Sequence, residues 1–109
     1  MAYDQGLAQR IREIVQDMPG CVEKKMFGGL CYLMDGNMAC GVYKEFLIVR
    51  VGIDDYESAL MEPHTRKFDI TGKIMKGWVM VDGGGYADDD DLAGWVRRGF
   101  GYAGSLPPK

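Results

Sequence analysis

The chain has 109 residues, enough for one domain built around a single modest core. Its apolar fraction of 47% and charged fraction of 27% are those of an ordinary soluble globule, and no apolar run is long enough to span a bilayer. The net charge of −3 weighs against a nucleic-acid module, which normally carries basic groups that replace counterions on the phosphates. The opening MAYDQGLAQR has neither the basic start nor the apolar stretch of a signal peptide, so a cytoplasmic location is expected. Three cysteines, an odd number scattered through expected strands, suit reduced thiols better than a secreted disulfide framework.

Leu7, Ile11, Ile14, Val15 and Met18 recur at helical spacing and predict a first helix, with Asp4 as its N-cap and Pro19-Gly20 as its stop. A four-strand meander is expected next, at about Val22–Phe27, Leu30–Met34, Asn37–Tyr43 and Phe46–Val51. Its turns are placed at Gly28-Gly29, Asp35-Gly36 and, less strongly marked, Lys44-Glu45. Asp54-Asp55 opens a short second helix that buries Tyr56, Ala59 and Leu60 and closes at Pro63. The stretch from His64 to Gly77 reads as irregular, with at most a short edge strand near Lys67–Ile70. Trp78–Val81 is a fifth strand, and Gly83-Gly84-Gly85 a flexible turn. A third helix starts in Asp88–Asp91 and buries Leu92, Trp95, Val96, Phe100 and Ala103. The termini, Met1–Tyr3 and Ser105–Lys109, join no element. With no β-α-β alternation, the expected architecture is α+β: a predominantly antiparallel five-stranded sheet packed with three helices.

Two-residue turns allow partners to be counted outward along the meander. That count sets Met26 opposite Cys31, Cys31 opposite Cys40 and Cys40 opposite Val49. One face then holds Val22, Lys24, Met26, Cys31, Leu33, Met38, Cys40, Val42, Leu47, Val49 and Val51, and is taken as the core face. The other holds Glu23, Lys25, Phe27, Leu30, Tyr32, Met34, Asn37, Ala39, Tyr43, Phe46, Ile48 and Arg50. That second face is unusually apolar and aromatic for a surface in water.

Four motifs in this order and spacing, KKMFGG (Lys24–Gly29), GNMACGV (Gly36–Val42), RVG (Arg50–Gly52) and MKGWVMV (Met75–Val81), give the chain its family likeness. It resembles the N-terminal domain of TfoX/Sxy-type proteins, named after a regulator of natural competence, and the likeness runs over nearly the whole chain. Each motif alone is a short turn with hydrophobic flanks; together they are specific. The resemblance implies one domain over residues 1–109, of the two-layer α+β type shared with secretion chaperones and YjbR-like proteins. It implies no catalytic residues. Full regulators of the family carry a second, C-terminal domain, and the expectation here is a stand-alone first domain.

Candidate sites follow from residue chemistry. Cys31 and Cys40, counted as direct neighbours with Met26 beside them, suggest a redox pair or a soft-metal cluster; the plainer reading is that small thiols fill a core. Lys24 on the core face is either a buried base or a lysine that snorkels to water, and the second is preferred. His64, the only histidine, has no nucleophile motif beside it and reads as a loop residue. The run GGGYADDDD places carboxylates at a helix N-terminus, where they complement the dipole and would repel a phosphate. Arg66, Lys67, Lys73 and Lys76 near Trp78 form a basic and aromatic grouping that would suit single-stranded nucleic acid. Phe27, Leu30, Tyr32, Met34, Tyr43, Phe46 and Ile48 form the candidate partner-binding face. The expected function is that of a non-enzymatic regulatory domain without cofactor or metal, which binds a protein or a second copy of itself. Direct nucleic-acid binding and a small thiol enzyme are the alternatives.

Overall fold

Helix α1 (Gln5–Val15) begins where Asp4 accepts a hydrogen bond from the Leu7 amide at 3.0 Å, and it buries Leu7, Ala8, Ile11 and Val15. The chain then forms β1 (Cys21–Met26), β2 (Gly29–Met34), β3 (Asn37–Tyr43) and β4 (Phe46–Arg50). Helix α2 (Ile53–Leu60), β5 (Thr65–Lys67), β6 (Trp78–Val81), the one-turn α3 (Gly83–Tyr86) and α4 (Asp89–Gly104) complete it. These elements come from a computed structural model that describes residues 3–26, 28–69 and 72–108. The strands make one antiparallel sheet in the order β1-β2-β3-β4-β6-β5.

The α+β class and the antiparallel sheet are as expected, but the described residues form six strands and four helices, where five and three were expected. The extra strand is Thr65–Lys67, which pairs with β6 at the sheet edge and starts two residues before the short edge strand that the sequence allowed near Lys67–Ile70. It is held by the Thr65 hydroxyl, within hydrogen-bond distance of the Ala59, Leu60 and Glu62 carbonyls at the end of α2. The extra helix replaces the expected glycine turn. Asp82 accepts from the Gly84 amide at 3.0 Å and caps a single turn whose Tyr86 enters the core. The C-terminal tail does find a partner: buried Asn37 donates to the Pro107 carbonyl at 2.9 Å.

Two register corrections reshape the sheet. Met26 pairs with Gly29, so the first turn lies one residue earlier than Gly28-Gly29. Gly29 belongs to the strand, and glycine is required there because a Cβ would lie 2.3 Å from the Val42 carbonyl oxygen. This change moves partners by two positions and leaves the faces intact. The second correction is larger. The β2–β3 ladder shifts by one between Tyr32 and Leu33: Met34 pairs with Asn37 and Leu33 with Met38, but Tyr32 pairs with Cys40 and Cys31 with Gly41. Ala39 is the extra residue of a β-bulge. Beyond it every side chain of β2 changes face relative to the count.

Leu30 and Tyr32 therefore share a face with Cys40, Val42, Leu47, Val49, Val79 and Val81. This face is the core. Leu7 and Ile11 of α1, Tyr56 and Ala59 of α2, Tyr86 of α3 and Trp95, Val96 and Phe100 of α4 all join the same cluster. All four helices thus pack on one side of the sheet. Val22, Lys24, Met26, Cys31, Leu33 and Met38, expected inside, point to the opposite side.

Helix α4 fits against the bulge. A Cβ on Gly99 would sit 2.4 Å from the Ala39 carbonyl oxygen and 3.1 Å from its carbon. Gly99→Ala is expected to lose about 1–3 kcal/mol through backbone overlap, despite better helix propensity. Gly94 of the same helix has nothing within 4 Å of a Cβ, so Gly94→Ala is expected to gain up to about 1 kcal/mol. Urea unfolding of both variants checks the pair; equal shifts would contradict the contact.

Candidate functional site: the helix-free face of the sheet

With the helices gathered on one side, the other side of the sheet is covered only in part. Ile48 of β4 and Met80 of β6 are buried beneath Phe68, and Tyr43, Phe46 and Trp78 pack around them half-buried. Phe68 follows β5 and is held over the sheet by the returning chain, where the Met75 amide donates to its carbonyl at 3.0 Å. Its ring meets that of Trp78 at 5.9 Å between centroids. Val22 of β1 is 58% exposed on this face, and Ile74 in the segment between β5 and β6 is 53% exposed.

Two guanidinium groups lie against these rings. Arg50 sits 5.2 Å from the Trp78 centroid and 5.3 Å from that of Tyr102; Arg66 sits 5.1 Å from that of Phe46. Such contacts are worth about 0.5–1 kcal/mol each at exposed sites. A guanidinium against a ring keeps N–H edges free for an anion. Among the described residues neither Arg50 nor Arg66 has a carboxylate within ion-pair distance. The helical side differs. Arg10 meets Asp89 at 2.9 Å, Arg12 meets Glu23 at 2.6 Å and Arg98 meets Glu62 at 2.6 Å. Arg12 holds the Glu23 carboxyl below its usual range, chiefly through their hydrogen bond. Of the sixteen Asp and Glu residues in the chain, only Glu23 lies in a strand, and it faces the helices.

The seven residues expected to share a partner-binding face do not share one. Leu30 and Tyr32 are core, and the Tyr32 hydroxyl donates to the Ala8 carbonyl of α1 at 3.1 Å. Met34 packs half-buried against the same core. Tyr43, Phe46 and Ile48 lie on the helix-free face, and Phe27 falls outside the described residues. The basic set also divides. Arg66 is on the helix-free face, Lys67 alternates to the other side of β5, and Lys73 and Lys76 are exposed between β5 and β6. Sequence reasoning placed Arg50 on the mixed face but not in the site, and it missed Phe68 and Met80. The Met80 signal was available, since counting across β4 and β6 pairs it with Ile48.

The cysteines do not form the expected pair. Cys31 opposes Gly41 and points away from the helices, whereas Cys40 opposes Tyr32 and lies in the core. All three are free thiols. Burial pushes Cys31 up to about 11 and raises Cys40 further, the reverse of an activated thiol. Lys24 is exposed.

His64 and the aspartate run have structural work. His64 adopts a φ of 67°, and its Nδ1 lies 2.9 Å from Asp82 Oδ1 while its ring fills the space above Gly84. Asp88 caps α4 by accepting from the Asp90 amide at 2.8 Å, with Asp89, Asp90 and Asp91 in the first turn. Among the described residues no three His, Cys, Asp or Glu side chains are grouped to hold a metal ion. Nor is any described helix long and apolar enough to cross a membrane.

A sheet with helices on one side and an aromatic, basic surface on the other defines a two-layer α+β domain with a free face. The family model of the TfoX N-terminal domain matches residues 13–103, most of the chain, and the chain belongs to that family. Comparison with curated proteins and with solved structures returned no match.

The thiol geometry predicts an order of reactivity. With a thiol reagent at neutral pH, half-buried Cys21 reacts first, and Cys31 and Cys40 react only on unfolding. The folded Cys31 thiol lies above the ordinary thiol value of 9.0, so its contribution to stability is complete below that pH. It is lost as pH rises through about 11. Cys31→Ala is expected to flatten the alkaline limb of a stability–pH curve. An unchanged limb, or a Cys31–Cys40 disulfide under mild oxidant, would contradict this placement.

Proposed function

We propose that this domain is a non-catalytic regulatory module that docks a protein partner on the helix-free face of its sheet. The observation that carries the reading is the ring cluster Tyr43, Phe46 and Trp78, left half-covered while all four helices pack on the other face. Half-exposed aromatics beside arginines are the residue types that dominate protein interfaces. The family adds a link to regulators of competence. The kinship with secretion chaperones and YjbR-like proteins that the family resemblance implies is compatible with the one-sided helix layer. A cytoplasmic setting fits three unpaired thiols. The raised Cys31 and Cys40 thiols weigh against a thiol enzyme.

A second reading, direct binding of single-stranded nucleic acid, draws on Arg50 and Arg66 beside aromatic rings, with Lys73 and Lys76 near by. The overall negative charge sets it second. Affinity capture from the native cell, with and without nuclease, separates the two. The docking reading expects protein partners that survive nuclease and are lost with Phe46→Asp, whose ring is only half-buried. Light scattering tells a second copy from another protein. Retention of every partner by a folded Phe46→Asp variant overturns the reading, and retention that depends on nucleic acid replaces it with the second.

A further inference from the structure

Resting on that docking reading, we infer that the partner segment is an acidic amphipathic helix. Its apolar stripe meets the methionines and rings of the helix-free face, and its carboxylates meet Arg50, Arg66 and Lys24.

The charge pattern carries this. Lys24 stands on β1 at one sheet edge, Arg66 on β5 at the other, and Arg50 between them on β4. No strand position on this face holds a carboxylate. The chain does not lack acids: it has sixteen, and on the helical side they neutralise Arg10, Arg12 and Arg98. Arg50 and Arg66 instead rest on Trp78 and Phe46, with donor edges free for a carboxylate. A basic partner would bring like charge onto unpaired cations, which disfavours it.

The apolar surface between the cations selects a side-chain partner over a phosphate chain. Met26 and Met38 lie on this face half-buried, and Met75, 38% exposed, flanks it. Flexible thioethers adapt to varied apolar side chains, as surfaces that bind amphipathic helices do. A polynucleotide would use the cations and leave most of this surface unfilled. It would also approach a molecule of net charge −3. Length is set by geometry. Five strand spacings of about 4.8 Å separate the outermost strands, roughly 24 Å, which a helix of about 16 residues spans.

The test uses three labelled probes against the full chain. They are a designed 16-residue helix with an apolar stripe and glutamates, the same helix with lysines, and a single-stranded oligothymidylate of matched charge. Affinity is read by anisotropy, and the surface is mapped by backbone amide shifts. The acidic helix is expected to bind, to shift amides at Ile48, Met80 and Arg66, and to weaken as salt rises. Arg50→Glu with Arg66→Glu should weaken it by about tenfold or more, and Arg66→Glu alone should weaken it measurably, while Lys67→Glu, the same charge change as Arg66→Glu but on the other side of β5, should leave it unchanged. Thermal melts confirm that each variant is folded. Equal or tighter binding of the lysine helix at the same amides overturns the inference and leaves the docking face standing. Tighter binding of the oligothymidylate there overturns both in favour of nucleic acid. No shift on this face with any probe, or shifts confined to the helical side, overturns both outright.

Discussion

The bulge at Ala39 is the constraint on which the arrangement of this protein depends. A strand ladder has a period of two, so one inserted residue exchanges the faces of everything beyond it. Without it, Leu30 and Tyr32 would point away from the side that holds Val42, Leu47 and Val49. Each large apolar side chain left out of the core forfeits about 1.5–3 kcal/mol. The Tyr32 bond to Ala8 would add about 1 kcal/mol more. That total exceeds what one unpaired residue costs, and α4 holds the bulge in place through the close approach of Gly99 to Ala39.

Placing Tyr32 inward has consequences for the surface. The helices then have one continuous apolar floor, from β2 across to β6, and all of them pack there. The reverse side keeps a smaller cluster, closed over Ile48 and Met80 by Phe68 and ringed by Tyr43, Phe46 and Trp78. Charge follows the same division. Helix starts take aspartates because the dipole favours them there, so acids accumulate on the helical side at Asp54, Asp55 and Asp88–Asp91. Strands carry few acids, and the sheet face keeps cations alone. A sheet face distinct in charge from the rest of the molecule results from ordinary rules of element construction.

The same register change removes the chemical readings that adjacent thiols suggested. Cys31 and Cys40 belong to opposite faces, and burial keeps both protonated. His64, Asp82 and Asp88 fix the junction of β5, α3 and α4. The side chains that these readings relied on instead take part in packing, capping and hydrogen bonding.

Local periodicity determined α1, the short α2 and α4, with caps for the first and last, as well as the expected fifth strand and the antiparallel class. These depend on residues three or four apart, or on alternation within one strand: Asp4 before Leu7, Asp88 before Leu92, Trp78 to Val81. The paired family motifs were legible in the same way, and so was part of the site, since Tyr43, Phe46 and Ile48 alternate within a few residues of one another. Only the tertiary structure decided which way Leu30, Tyr32 and the cysteines point. A bulge has no local signature strong enough to outweigh a tight-turn count; it is selected by helices folding onto the sheet from far along the chain. The excess of apolar groups on the counted outer face was its trace in the sequence, because two of them, Leu30 and Tyr32, belonged to the core. The bounds of β5 and the place of Phe68 were hidden for a related reason: three edge residues and one ring gain their positions from β6 and Met80, not from their own neighbours.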